Sequence, residues 1–444
     1  MVRLSTRPRD GREGNMRFEI LHPADQLVMI MQRIYQYGMT TTSGGNLSIR
    51  DANGDIWITP SGIDKGSLRS NDMIRVKPDG QVIGIHKPSV ELPFHRGIYN
   101  VRPDLHAILH AHPPTMVAFS LARIIPNIRL TYDVLQICKE VALAEYAVPG
   151  SEQLGSNIAK AFSQGPDIVL LENHGCVIGA EDLFSAFRAF ETLDFSGRLQ
   201  IDAMKLGIPH SLSDEEISRC ADLRAPAKNA FTPKLVSSLE RELRRDMCSF
   251  IHRAYDQRLF TSTQGTFSQR LENGSFVITP YGKDRKYLEP EDLVLISFGM
   301  IEAGKQPSRS VLLHEAIYAA HPEIGCIIIA HAPAIMAFAV TQAPFDSRII
   351  PESYVSLRNV VKLPFLSTAN DISGVTAALN PRTPVLIIEN ECVLVAGTDL
   401  LNAFDRLEVL EYSAKALIAV RDIGSTVMIS QAEIREIDKV FHLE

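Results

Sequence analysis

The chain has 444 residues, 45% of them hydrophobic and 22% charged, with a formal net charge of −7. This is the composition of an ordinary globular protein of two or three domains, because single cores seldom grow past about 250 residues. It offers no basic field for nucleic acid, and no apolar run approaches the ~20 residues of a membrane span.

Residues 1–20 are basic and polar, without the apolar centre of a signal peptide, and read as a disordered tail. The six cysteines, at 138, 176, 220, 248, 326 and 392, form no C-x-x-C pair. They fit a reducing cytoplasm rather than a zinc ribbon or a dithiol site. Leu27, Ile30, Met31, Ile34 and Tyr35 recur at helical spacing over 23–38, and Gly38 supplies the stop. Two short strands follow, NLSIR and DIWITP, around the turn DANGD. The glycine turn GGNLS lies at 44–48 and TPSG at 59–62. Backbone N–H groups around Gly45-Asn46 and Ser61-Gly62, with the hydroxyls of Thr59, Ser61 and Ser89, are candidates for an anion cradle. The next pair, Asp64-Lys65, reads as solvated surface.

Leu92, Phe94, His95, Ile98 and Tyr99 suit a helix over 90–101. An apolar run at 106–112 then ends in His110-Ala111-His112. Alternate side chains of a strand share a face, so these two imidazoles stand on one side, about 6–7 Å apart. His174, in LLENHG, offers a third. Three histidines with an open fourth position suit a catalytic rather than a structural zinc site, and Mn, Co or Fe also fit the ligand set. Glu91 stands near the open position, as a displaceable ligand or a general base. Cys176, beside His174, continues an apolar strand and reads as core. Helices are expected near 114–123, over 151–164 and over 181–206, with DIVLLEN a buried strand. Elements mixed at this density indicate an α/β layered domain over 21–212. Residues 213–232 are polar and contain proline, as a linker would be.

The pattern then starts again over 233–444, beginning with a helix near 233–258. Residues 88–121 laid on 307–340 without gaps match at 12 of 34 positions, which marks an internal duplication of about 220 residues. The differences fall on the chemistry. Ser310 replaces Glu91, Ile329 replaces His110, Glu391 falls opposite His174, Thr266 opposite Asn46 and Tyr281 opposite Ser61. His95/His314 and Tyr99/Tyr318 persist as framework. The second copy is expected to keep the fold and lose the reaction. A C-terminal amphipathic helix over 430–444 has no assigned role.

The sequence GN-x-S, TPSG, P-S-x-E, H-x-H and a later HG, in this order, resembles the class II aldolase/adducin family. The resemblance implies a three-layer α-β-α fold in two tandem copies. It implies one divalent metal per chain, most commonly zinc, on His110, His112 and His174, with Glu91 as catalytic acid/base. In sugar-phosphate aldolases of the family the turns matching Gly45, Asn46, Thr59, Ser61, Gly62 and Ser89 hold the substrate phosphate. Val90 stands where fuculose-phosphate members have a second serine, which leaves unphosphorylated substrates open. Tyr132 lies near the position of a protonating tyrosine. The implied reaction is aldol cleavage of a sugar-like keto substrate through a metal-bound enediolate. Decarboxylation of a 3-oxo sugar acid and a non-catalytic adducin-like interaction module are the alternatives. Single-domain relatives are cyclic tetramers with sites at subunit boundaries. A duplicated chain is therefore expected to dimerise into a pseudo-tetrameric ring.

Overall fold

The computed structural model describes residues 18–221, 228–233 and 235–443. The expected tail at 1–20 thus falls mostly outside the described residues. Its last three, Phe18–Ile20, form a 3-10 turn in which the Phe18 ring meets Phe184 at 5.9 Å.

Eight strands of the first half form one sheet: β1 (Asn46–Arg50), β2 (Ile56–Ile58), β3 (Ile74–Val76), β4 (Val82–Ile83), β5 (Ala107–Ala111), β6 (Val141–Ala144), β7 (Ile168–Leu171) and β8 (Gly175–Ala180). Their order is β4-β3-β2-β1-β5-β8-β7-β6, antiparallel throughout except for β6 with β7. Each face of this sheet is covered by helices, because its strands alternate two sets of apolar side chains. Ala107, Leu109 and Ala111 of β5 face the helices Pro23–Gln36, Pro114–Ala122 and Leu183–Leu206. Ile108 of β5 and Val177 of β8 pack with Phe94, Ile98, Leu154 and Ile158, from helices Leu92–Val101 and Glu152–Phe162. The result is the expected three-layer α/β body.

The second sheet repeats that order. Its strands are β9 (Ala230–Phe231), β10 (Thr266–Arg270), β11 (Phe276–Ile278), β12 (Val294–Ser297), β13 (Met300–Glu302), β14 (Cys326–Ala330), β15 (Val360–Leu363), β16 (Val385–Ile388) and β17 (Cys392–Gly397). They run β15-β16-β17-β14-β10-β11-β12-β13-β9. Read from the other end, the first sheet has the same succession, so the duplication seen in sequence is a duplication of topology. The added strand, β9, comes from the segment expected to be a linker. That segment also carries the helix Asp214–Ala221, so 213–232 is not a plain connector. Its polar sequence hid a helix that buries only Cys220.

The halves are joined by buried polar groups. Arg33 donates from Nε to Tyr255 OH at 2.6 Å and from both terminal nitrogens to Asp284, at 2.6 and 2.8 Å. Tyr255 OH donates in turn to Glu191 at 2.5 Å. A fully buried guanidinium needs this complete set of acceptors. Among the described residues no helix is long and apolar enough to cross a membrane.

Candidate functional site

The register of β1 on β5 sets Asn46 opposite His110. Asn46, Ser48 and His110 therefore share the sheet face covered by helix Leu92–Val101, whose N-cap is Glu91. His112 continues the same face just past the end of β5. His174 arrives from the turn between β7 and β8, where Asn173 holds φ at 53°, a left-handed conformation that asparagine tolerates better than most residues. Gly175 follows for a steric reason. A Cβ there would lie 2.5 Å from the Ala111 carbonyl oxygen and 2.7 Å from His112 Cδ2.

The three imidazoles converge. His110 Nε2 and His112 Nε2 are 2.9 Å apart, and one ring nitrogen from each of the three lies within 4.8 Å of the others. His110 Nδ1 is 3.0 Å from the Cys176 carbonyl oxygen. A carbonyl can only accept, so Nδ1 carries the proton and Nε2 presents a lone pair to the other rings. Burial first, and then the neighbouring His174, push His110 down to about 3. Burial and the other two rings push His112 to about 3 as well, and burial lowers His174. Neutral, lone-pair-bearing nitrogens on a common centre are what a borderline divalent ion requires. The donor set fits such an ion.

Glu91 is buried beside them, with Oε2 at 3.4 Å from His110 Nε2 and Oε1 at 3.9 Å from His174 Nε2. Its orientation is set by a hydrogen-bonded row. Asn46 Nδ2 donates to Glu91 Oε2 at 2.6 Å, and Asn46 Oδ1 lies 2.5 Å from His95 Nε2. His95 Nδ1 is 2.7 Å from Ser48 Oγ, itself 2.8 Å from Tyr99 OH. Only one set of protons satisfies this row. Asn46 Oδ1 must accept, so His95 Nε2 donates; Ser48 then donates to Nδ1 and accepts from Tyr99. His95, a plain core histidine by its helical spacing, thus holds the asparagine that holds Glu91. Its burial keeps the ring neutral, with a pKa well below the ordinary value.

The expected anion cradle is only partly free for a ligand. Ser89 N donates to Thr59 O at 3.2 Å, and this lacing brings the TPSG turn against the segment that carries Glu91. Thr59 is fully buried and its hydroxyl accepts the Leu47 N–H at 3.2 Å, so it serves the frame. Asn46 is turned toward Glu91 and His95. Ser89 Oγ accepts the Glu91 N–H at 3.3 Å. Ser61 is half-buried and Gly62 is exposed, with φ at 72°. Gly45 is buried, at φ 71°, where a Cβ would lie 2.7 Å from the His110 carbonyl oxygen. Lys65, read as solvated surface, is buried instead. Its Nζ donates to the Pro60 carbonyl at 2.7 Å, and burial pulls it down to about 8.

Tyr132 is the main departure from expectation. It does not stand with the histidines. With Asp133 it lines a cavity of the second half, together with Ser308, Ser310 and His331. The start of helix Tyr132–Cys138 reaches across the boundary between the halves. Cys176 is core, as read: it is fully buried and its thiol is pushed up by burial.

The chain matches the family described as Class II Aldolase and Adducin N-terminal domain twice, over residues 25–201 and 245–418. It is similar to a 5-deoxy-D-ribulose 1-phosphate aldolase of Bacillus thuringiensis serovar kurstaki, 31% identical over 44% of this chain and 92% of that protein. A 3-oxo-tetronate 4-phosphate decarboxylase of Haemophilus influenzae is 30% identical over 39% of this chain and 84% of its own length. Among solved structures, an L-fuculose 1-phosphate aldolase is 33% identical, covering 45% of this chain and 94% of that one at a TM-score of 0.41. Two sheets of one topology and two matches of one domain lead to the same conclusion: the chain belongs to the class II aldolase and adducin N-terminal domain family, as a tandem pair.

Proposed function

We propose that the first half is a divalent-metal-dependent lyase that breaks a carbon–carbon bond of a sugar phosphate by aldol cleavage. The observation that supports it most is the convergence of three neutral imidazoles on one centre, beside a carboxylate held by its own hydrogen-bonded row. His110, His112 and His174 hold the ion, zinc or another divalent metal. When bound, the ion supplies Lewis acidity toward a substrate carbonyl.

Glu91 moves the proton. Asn46 fixes its Oε2, 3.4 Å from His110 Nε2, and leaves Oε1, 3.9 Å from His174 Nε2, free of that bond. Oε1 takes the proton of the substrate hydroxyl whose carbon becomes the aldehyde, and returns it to the carbon that keeps the electron pair of the broken bond. Ser61 and Gly62 sit on the outer side of the TPSG turn; the Ser61 N–H is taken by the Lys87 carbonyl at 2.9 Å, so the Ser61 hydroxyl and the Gly62 N–H are the donors offered to the phosphate. Decarboxylation of a phosphorylated 3-oxo acid is the second reading, favoured by the similarity to the decarboxylase of Haemophilus influenzae.

A two-chain assembly belongs to this reading. Helix Pro333–Ala339 is buried along its whole length, packed on helix Leu183–Leu206 of the first half. Its counterpart in the first half, Pro114–Ala122, leaves Leu121 60% exposed, with Ile124 and Ile125 exposed just beyond. A second copy of the chain would cover that face with its own second half, closing a two-fold ring.

Metal-loaded protein incubated with 5-deoxy-D-ribulose 1-phosphate and L-fuculose 1-phosphate should release dihydroxyacetone phosphate. A 3-oxo-tetronate 4-phosphate control tests for CO₂. Glu91→Gln should retain metal and lose about 10²-fold or more in turnover. Release of neither product by the metal-loaded protein would set the proposal aside.

A further inference from the structure

The second half keeps the frame of the first site without its ligands. Ser268 Oγ lies 2.7 Å from both His314 Nδ1 and Tyr318 OH, and Thr279 accepts the Phe267 N–H, as Ser48, His95, Tyr99 and Thr59 do in the first half. Glu391, in the place of His174, borders the space with its carboxyl group already bonded. It accepts from the Leu366 N–H at 3.1 Å and from the Thr368 hydroxyl.

A half kept only for packing would be expected to close over the space those changes vacate, because protein interiors hold few voids larger than a water molecule. A cavity of about 340 Å³ remains instead, within the size range of small-molecule sites. Both halves build it, since Tyr132 and Asp133 reach it from the first half while the rest of its lining belongs chiefly to the second.

The lining specifies a chemistry. Thr266 Oγ1 is 2.8 Å from Ser308 Oγ, which is 3.0 Å from Ser310 Oγ. Three hydroxyls carry three hydrogens and these two bonds use two, so one O–H remains to be donated. Tyr132 OH accepts from Gln136 Nε2 at 2.6 Å, which leaves its own hydrogen available. His331 borders the cavity, with its Nδ1 buried and lacking a hydrogen-bond partner. Leu313, Ile329, Phe365 and Ile372 add apolar wall.

The charges are already accounted for. Arg309, the one Lys or Arg of the lining among the described residues, is 3.1 Å from Asp133 Oδ1, with its guanidinium over the Tyr281 ring. Burial pushes the Glu391 carboxyl up to about 7. A phosphate dianion would meet two carboxyl groups here and, among the described residues, no free cation. Hydroxyl donors beside apolar wall suit the hydroxyls and carbon chain of a neutral sugar.

We propose that the cavity between Tyr132 of the first half and the Thr266–Ser308–Ser310 row of the second is a binding site for an uncharged, unphosphorylated polyol or sugar of triose to hexose size. The second half thus holds a ligand without performing a reaction on it. The inference stands on this cavity alone and does not depend on the chemistry assigned to the first half.

The test uses full-length protein carrying His110→Ala, so that the first site holds no metal. Glycerol, xylitol, D-ribulose and D-ribulose 5-phosphate are titrated by calorimetry. At least one neutral probe should saturate one site per chain, with D-ribulose 5-phosphate weaker by about tenfold or more, a 1.4 kcal/mol difference. Ser310→Leu should remove one hydroxyl of the row, intrude an isobutyl group beside the other two and abolish binding at an unchanged melting temperature. Tyr132→Phe and Ser308→Ala, which remove single hydroxyls, should weaken binding and decide the matter should Ser310→Leu fail to fold. Absence of saturable binding by all three neutral probes would overturn the proposal. So would tighter binding of the phosphate ester, or neutral-probe binding indifferent to these substitutions.

Discussion

A buried neutral imidazole has one donor and one acceptor to satisfy, and the two copies of this fold satisfy them differently. His95 uses both, on Asn46 and Ser48. His314 meets Ser268, but its Nε2 has no partner, because Thr266 replaces the asparagine and bonds to Ser308. His95→Leu therefore strands Asn46 Oδ1, at about 1–3 kcal/mol, while Ser48 keeps Tyr99; His314→Leu strands no such group, because Ser268 keeps Tyr318. Denaturant melts should rank His95→Leu as clearly the more damaging of the two. Equal losses would mean that the row behind Glu91 adds nothing. This residue-level role was not legible beforehand. A histidine at helical spacing on an apolar face reads as core, and only the pairing of β1 with β5 brings Asn46 to it. The H-x-H pair was legible, because a two-residue period has one consequence in a strand. Lys65 was misread for the opposite reason, since its carbonyl partner, Pro60, lies in a turn whose path the sequence does not disclose.

The hairpin of β7 and β8 positions His174, and its fit depends on the missing side chain at Gly175. Gly175→Ala would drive a Cβ against the Ala111 carbonyl and the His112 ring. Overpacking of this kind costs about 1–3 kcal/mol, and the element that yields is the ring of a proposed ligand. Chelator competition should show weaker metal retention in Gly175→Ala at nearly native secondary structure, and unchanged retention would count against His112 as a ligand. Among elements, the long helices and the strands around the motifs followed from apolar spacing. The two-residue strands Val82–Ile83 and Ala230–Phe231 did not, because so short a segment carries no period. Helix Asp214–Ala221 was hidden because it buries a single residue. Helix Tyr132–Cys138 packs Val134 and Cys138 into the first half's core while Tyr132 and Asp133, at its start, line a cavity belonging chiefly to the second half, and such a crossing leaves no trace in local spacing.

At the scale of the molecule, a duplicated fold buries in one half what it exposes in the other. The apolar face of helix Pro114–Ala122 needs a cover that its own chain provides only for the second copy. Light scattering should give a dimer, and Leu121→Asp should give a folded monomer, because a buried carboxylate without a partner is costly at an interface. A native monomer would leave the exposed face without this explanation. The asymmetry between halves is the central claim, and metal stoichiometry tests it most directly. Elemental analysis of the purified native chain, beside His110→Ala and His331→Ala, should give one divalent ion per chain for the native protein and for His331→Ala. His110→Ala should be nearly empty. Two ions per native chain, or undiminished metal in His110→Ala, would contradict the account.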